Sequence, residues 1–140
     1  MLKRTVTDLM EAWDALSVLA GHFGTSEPKL IFGRTRRGWY RPANRRTGAP
    51  ARISLHSTPI GGWSISNTLV HEFAHHLHWT RTGDCNHNAD FHRALTDVAA
   101  AWYGNPAEYC WHLEYATLKA AGPAAHPQLK IDTDALLSQL

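Results

Sequence analysis

The sequence predicts an α+β domain: one helix, then a small antiparallel sheet, then further helices. Apolar residues recur at helical spacing over residues 5–23 and again beyond residue 66. Between them, short segments alternate apolar and polar residues, as half-buried strands do. Helices and strands are segregated along the chain rather than alternating with each other, which argues α+β over α/β. A chain of 140 residues, 44% hydrophobic and 19% charged, supports one domain with a modest core. We assign it residues 1–122, with 123–140 as a C-terminal tail.

Each element has a local cause. Over 5–23, Val6, Leu9, Met10, Trp13, Leu16, Leu19 and Ala20 form a stripe, with Asp8, Glu11 and Asp14 off it. Gly24 and Pro28 close that helix. "KLIFGRTRRGWYRP" predicts two short strands around Arg36-Arg37-Gly38, residues 42–50 a loop, and "ARISLHS" another strand. A helix capped by Ser66 or Asn67 carries Leu69, Val70, Phe73, Ala74 and Leu77 and stops near Gly83. The next runs from about Ala89 to Tyr103 on Phe91, Leu95, Val98 and Trp102. Pro106 opens another, ended by Gly122-Pro123. Trp13, Trp63, Trp79, Trp102 and Trp111 occupy apolar positions, and core packing accounts for most of them.

Several classes are disfavoured. No apolar run approaches the roughly 18 residues of a membrane span. Asp8, Glu11 and Asp14 interrupt any export signal after "MLKR". Cys85 and Cys110 are too few for a disulfide framework or a four-cysteine zinc site, and two reduced thiols fit a cytoplasmic protein. The oligomeric state is not readable. The net charge of +2 is uneven: no acidic residue lies between Pro28 and His71, where Lys29, Arg34, Arg36, Arg37, Arg41, Arg45, Arg46 and Arg52 fall. The Arg34 to Arg52 segment is either a nucleic-acid surface, with Trp39 and Tyr40 for stacking, or a solvated hairpin that favours acidic protein substrates.

The chemistry concentrates in "TLVHEFAHHLHW", residues 68–79. His71-Glu72-Phe73-Ala74-His75 is an HExxH sequence. On a helix, positions i and i+4 share a face, so two imidazoles reach one ion. Glu72, one residue along, stands beside that ion as a general base for a metal-activated water. A catalytic zinc needs a third protein ligand. Position 81 is arginine and position 78 histidine, so the metzincin spacing is absent. Glu108 and Glu114 lack the setting of a gluzincin ligand. His87, in "CNHNADFHRAL", is the best third ligand, twelve residues after His75. His92, His78 and Cys85 are its rivals. Asp90 either orients a ligand histidine or caps the next helix, with the cap preferred. His76 is expected to face solvent, and His112 to pack.

"TLVHEFAHHLHW" followed by "HNADFHRAL" resembles the SprT-like metallopeptidases, which include the Spartan proteases, and the related YgjP-like group. The resemblance covers roughly residues 5–105. It implies a minimal zincin-like domain and a zinc metallopeptidase acting on protein or peptide substrates. By it, His71, His75 and His87 match the Zn2+ ligands and Glu72 the catalytic base. Asn88 stands where glycine is usual, a position where asparagine also tolerates left-handed backbone. The cysteines of a C-terminal zinc ribbon are missing. A substrate strand is expected to pair with an edge strand formed by residues 51–56. The competing expectation is a nucleic-acid-associated binding module whose zinc is structural, closed by a fourth ligand from Cys85, His78 or His92.

Overall fold

The computed structural model describes residues 9–33, 38–56 and 65–104. Helix α1 spans Leu9–Phe23, and strands β1, β2 and β3 span Lys29–Gly33, Trp39–Arg41 and Arg52–His56. Helices α2 and α3 span Ile65–Thr82 and Ala89–Tyr103. The fold is α+β. Expected helical residues 5–8, the helix after Pro106, and the tail at 123–140 lie outside the described residues. So do Trp63, Trp111, His112 and Cys110.

The sheet departs from expectation. β1 and β2 do not form a hairpin. β3 lies between them, parallel to β1 and antiparallel to β2, so the sheet is mixed. It follows that residues 51–56 are not an edge: β3 is the central strand, paired on both sides. The reason is burial. Ile53 and Leu55 are fully shielded, and the central position covers them best. Leu30, Ile53 and Tyr40 share one register row, and Phe32 and Leu55 another, on the face that meets the helices. The alternate row, Lys29–Arg52–Arg41, lies on the opposite face.

α1 buries Ala12, Ala15, Leu16, Leu19 and Ala20, an i, i+3, i+4, i+7, i+8 stripe. Trp13, assigned above to the apolar stripe, is 46% exposed. The three alanines let the helix approach closely, and Trp13 falls one step around from that seam. α2 packs against α1, α3, β2 and β3. It is therefore enclosed on most sides, although its sequence is rich in histidine. Leu69, Val70, Phe73, Ala74 and Leu77 all join the core. It ends at Gly83, whose φ of +76° favours glycine and whose N–H donates to the Trp79 carbonyl at 2.7 Å. α3 starts on Asn88, whose side-chain oxygen accepts from the Phe91 N–H at 3.1 Å. The Tyr103 hydroxyl donates to Asn67, tying the end of α3 to the start of α2.

Gly38 sets the distance between sheet and helix. A Cβ there would lie 2.5 Å from Thr68 Cγ2, 2.8 Å from the Ser54 carbonyl oxygen and 3.4 Å from Glu72 Cγ. The start of β2 is thus pressed onto α2 beside Glu72, at a spacing only glycine permits.

Candidate metal centre

α2 places His71 and His75 one turn apart, with ring centroids 5.0 Å from each other. The loop after Gly83 returns and adds His87. Its Nε2 lies 3.0 Å from His75 Nε2. One ligand atom from each of His71, His75 and His87 falls within 4.8 Å of the other two. Two nitrogens on one tetrahedral zinc, each about 2.0–2.1 Å from the ion, sit about 3.3–3.4 Å apart. The cluster could hold a metal ion.

The electrostatics agree with that fit. Burial, then the proximity of His71, His87 and His78, lowers the His75 pKa to about 2. His75 is therefore neutral across the physiological range, and the neutral ring is the form that ligates. Phe91, fully buried, forms the floor: its ring lies 4.3 Å from His75, 4.7 Å from His87 and 5.4 Å from His71, centroid to centroid. Glu72 is buried on the same helix at 6% exposure, under the start of β2.

The other named residues fall elsewhere. Among the described residues, the converging set excludes His78, His92 and Cys85. His78 is 1% exposed and faces the edge of Phe91. Burial lowers its pKa, against the pull of Asp84 and Asp90. His92 is fully buried on α3, with its ring at right angles to Phe91 within the protein interior. Cys85 is a free, partly exposed thiol, and burial, then Asp84, raises its pKa, which disfavours the thiolate a metal requires. Asp90 is not the cap. It pairs with Arg93 at 2.6 Å on the exposed face, and Asn88 does the capping. Asn88 is extended at φ −101°, ψ −171°, so no left-handed backbone is needed there. Glu108 and Glu114 lie outside the described residues.

His76 corrects a second expectation. It is fully buried. Its Nε2 lies 2.8 Å from the Ser26 carbonyl oxygen, and its Nδ1 lies 2.7 Å from the Tyr40 hydroxyl. A carbonyl only accepts, so Nε2 carries the proton and the Tyr40 hydroxyl donates to Nδ1. The Tyr40 ring also lies parallel to His75, 5° between planes. Burial, then the proximity of Cys85, raises the Tyr40 pKa and keeps its hydroxyl protonated. Sequence reasoning had a helical wheel for His76 but nothing to show a strand closing over that side.

Asp84 was missed altogether. Its Oδ1 accepts from the Asn86 N–H at 3.1 Å and the Asn86 side-chain amide at 2.8 Å. Its Oδ2 accepts from the Asn88 amide at 2.7 Å. The run Asp84-x-Asn86-His87-Asn88 is the signal that would have pointed to it, since an aspartate commonly bonds the backbone two residues on. Compared with known families, characterised proteins and solved structures, the chain matches none. Among the described residues no helix is long and apolar enough to cross a membrane.

Proposed function

We propose that this chain is a zinc-dependent metallopeptidase of the SprT-like kind. The observation that carries the reading is the arrival of a third imidazole, His87, at an HExxH pair. The cluster holds three protein nitrogens, the number a catalytic zinc uses, and none of Cys85, His78 or His92 joins it as the fourth ligand of a structural site. Zinc held by His71, His75 and His87 supplies Lewis acidity, which acidifies water and polarises a carbonyl. Glu72 takes the proton of the attacking water and returns it to the leaving amine. Glu72 is shielded from bulk water beside the start of β2. The substrate is a protein or peptide in extended form. Among the described residues β2 pairs with β3 alone, and it begins over Glu72, so it is the strand on which such a substrate would lie.

Glu72→Gln tests this. The variant is expected to bind zinc like wild type and to lose about 10²–10⁴-fold in peptide hydrolysis. Full activity in Glu72→Gln would remove Glu72 from the mechanism.

One observation favours a nucleic-acid partner beside this activity. Lys29, Arg52 and Arg41 stand side by side in one register row, and Arg41 lies over the Trp39 ring at 4.7 Å. Like charges directly opposite each other destabilise a sheet, and an anionic strand would offset that cost. Binding of a single-stranded oligonucleotide that weakens with salt, and weakens further in Arg41→Glu, is the expected result. Binding unaffected by Arg41→Glu counts against this face.

A further inference from the structure

We propose that Asp84 is the positioning residue of the third ligand: its carboxylate fixes the chain on both sides of His87 so that the imidazole meets His71 and His75. This rests on reading the three histidines as a metal site.

His71 and His75 need no help, because α2 places them. His87 is different. It is exposed, and it stands on a loop between two helices, outside any regular element. Ordering a free loop residue costs backbone entropy, and a ligand that must be ordered on binding weakens the site accordingly. The structure shows what has already ordered it. The Thr82 hydroxyl donates to the His78 carbonyl at 2.9 Å, within the last turns of α2. The Thr82 hydroxyl oxygen in turn accepts from the Asp84 N–H at 3.2 Å. The Asp84 carboxylate then holds Asn86 by two bonds and Asn88 by one. Asn88 in turn accepts from the Phe91 N–H in the first turn of α3. A continuous run of hydrogen bonds therefore links α2 to α3, and His87 sits between the two residues that Asp84 grips. Phe91, the last member of the run, is also the ring on which all three imidazoles pack.

The test is zinc affinity by chelator competition on the full chain, for wild type, Asp84→Ala, Asp84→Asn, His87→Ala and the double variant Asp84→Ala/His87→Ala. Asp84→Ala is expected to weaken zinc about 10–100-fold, the usual effect of losing a group that orients a ligand. Asp84→Asn keeps one acceptor oxygen and is expected to fall between. In the His87→Ala background, Asp84→Ala should change affinity less than about 2-fold, because the residue it positions is gone. With cobalt in place of zinc, the visible absorption of Asp84→Ala should move toward that of His87→Ala. A merely structural role would leave the single and double backgrounds additive, and additivity overturns the proposal. So does wild-type affinity in Asp84→Ala when His87→Ala is weakened. If His87→Ala itself binds zinc like wild type, the three-histidine reading fails and this inference falls with it. Should Asp84→Ala not fold, the pair Asp84→Asn and Asp84→Asn/His87→Ala decides the matter on the same terms.

Discussion

His76 sits beside a candidate ligand on the same helix, yet its two ring nitrogens are committed to Ser26 and Tyr40. Replacing Tyr40 by phenylalanine removes the donor to Nδ1. The ring cannot answer by switching tautomer, because Nε2 must keep its proton for the Ser26 carbonyl. A buried acceptor is then left unsatisfied, at a cost of about 1–3 kcal/mol. Urea unfolding of the metal-free protein measures it, and a difference below about 0.3 kcal/mol would mean that water replaces the hydroxyl. At this scale the sequence is informative where the chemistry is local. His71 and His75 are placed by one helix repeat, and their spacing alone suggests a shared face, with Glu72 one residue along. His76 was misread because its partners are 36 and 50 residues away in the chain. Asp84 was missed because its task is to hold other loop residues.

Among elements, helices were more legible than the sheet. The described limits of α3, Ala89–Tyr103, coincide with those predicted, since its periodicity is a local signal. The strands were also found where alternation placed them, but their partners were not. Alternation says which face of a strand is buried and is silent on which neighbour lies beside it. Arg36-Arg37-Gly38 suggested a hairpin turn, whereas Gly38 serves another end, the close approach of β2 to α2. Gly38→Ala tests that role. The added methyl would meet Thr68 Cγ2 and the Ser54 carbonyl oxygen at distances no real contact shows. The threonine can turn away, but the carbonyl belongs to the central strand and cannot. Overpacking of this kind costs about 1–3 kcal/mol, and β2 is expected to lift from α2 beside Glu72. Thermal unfolding should show the loss. Adding Thr68→Ser should recover only part of it, because the carbonyl remains; complete recovery would place the obstruction in Thr68 alone.

For the molecule as a whole, the buried histidines tie stability to acidity and to metal. Burial and the neighbouring imidazoles hold His75 at a pKa of about 2 in the fold, against 6.5 for an ordinary histidine. Burial also lowers His76 and His78. Below pH 6.5 the unfolded chain takes up protons that the folded chain refuses. Stability is therefore at its full value above about pH 6.5 and falls as the pH drops, by about 1.4 kcal/mol per pH unit for each histidine kept neutral. Domains of this size have only about 5–15 kcal/mol to lose. The metal-free protein should accordingly unfold cooperatively on acidification, near pH 5. If the three imidazoles hold zinc as proposed, zinc would bind only their folded arrangement, and at about 100 times its dissociation constant it would add about 2.7 kcal/mol. Protons compete with the metal for the imidazoles, so zinc should raise stability most near neutral pH, and its contribution should fall on acidification. Circular dichroism across pH 4–8, with zinc and with chelator, reads both effects together. Stability near neutral pH that zinc leaves unchanged would mean that the histidine cluster holds no metal in the folded chain, whereas a metal-free protein stable to pH 3 would mean that these histidines accept protons where they stand.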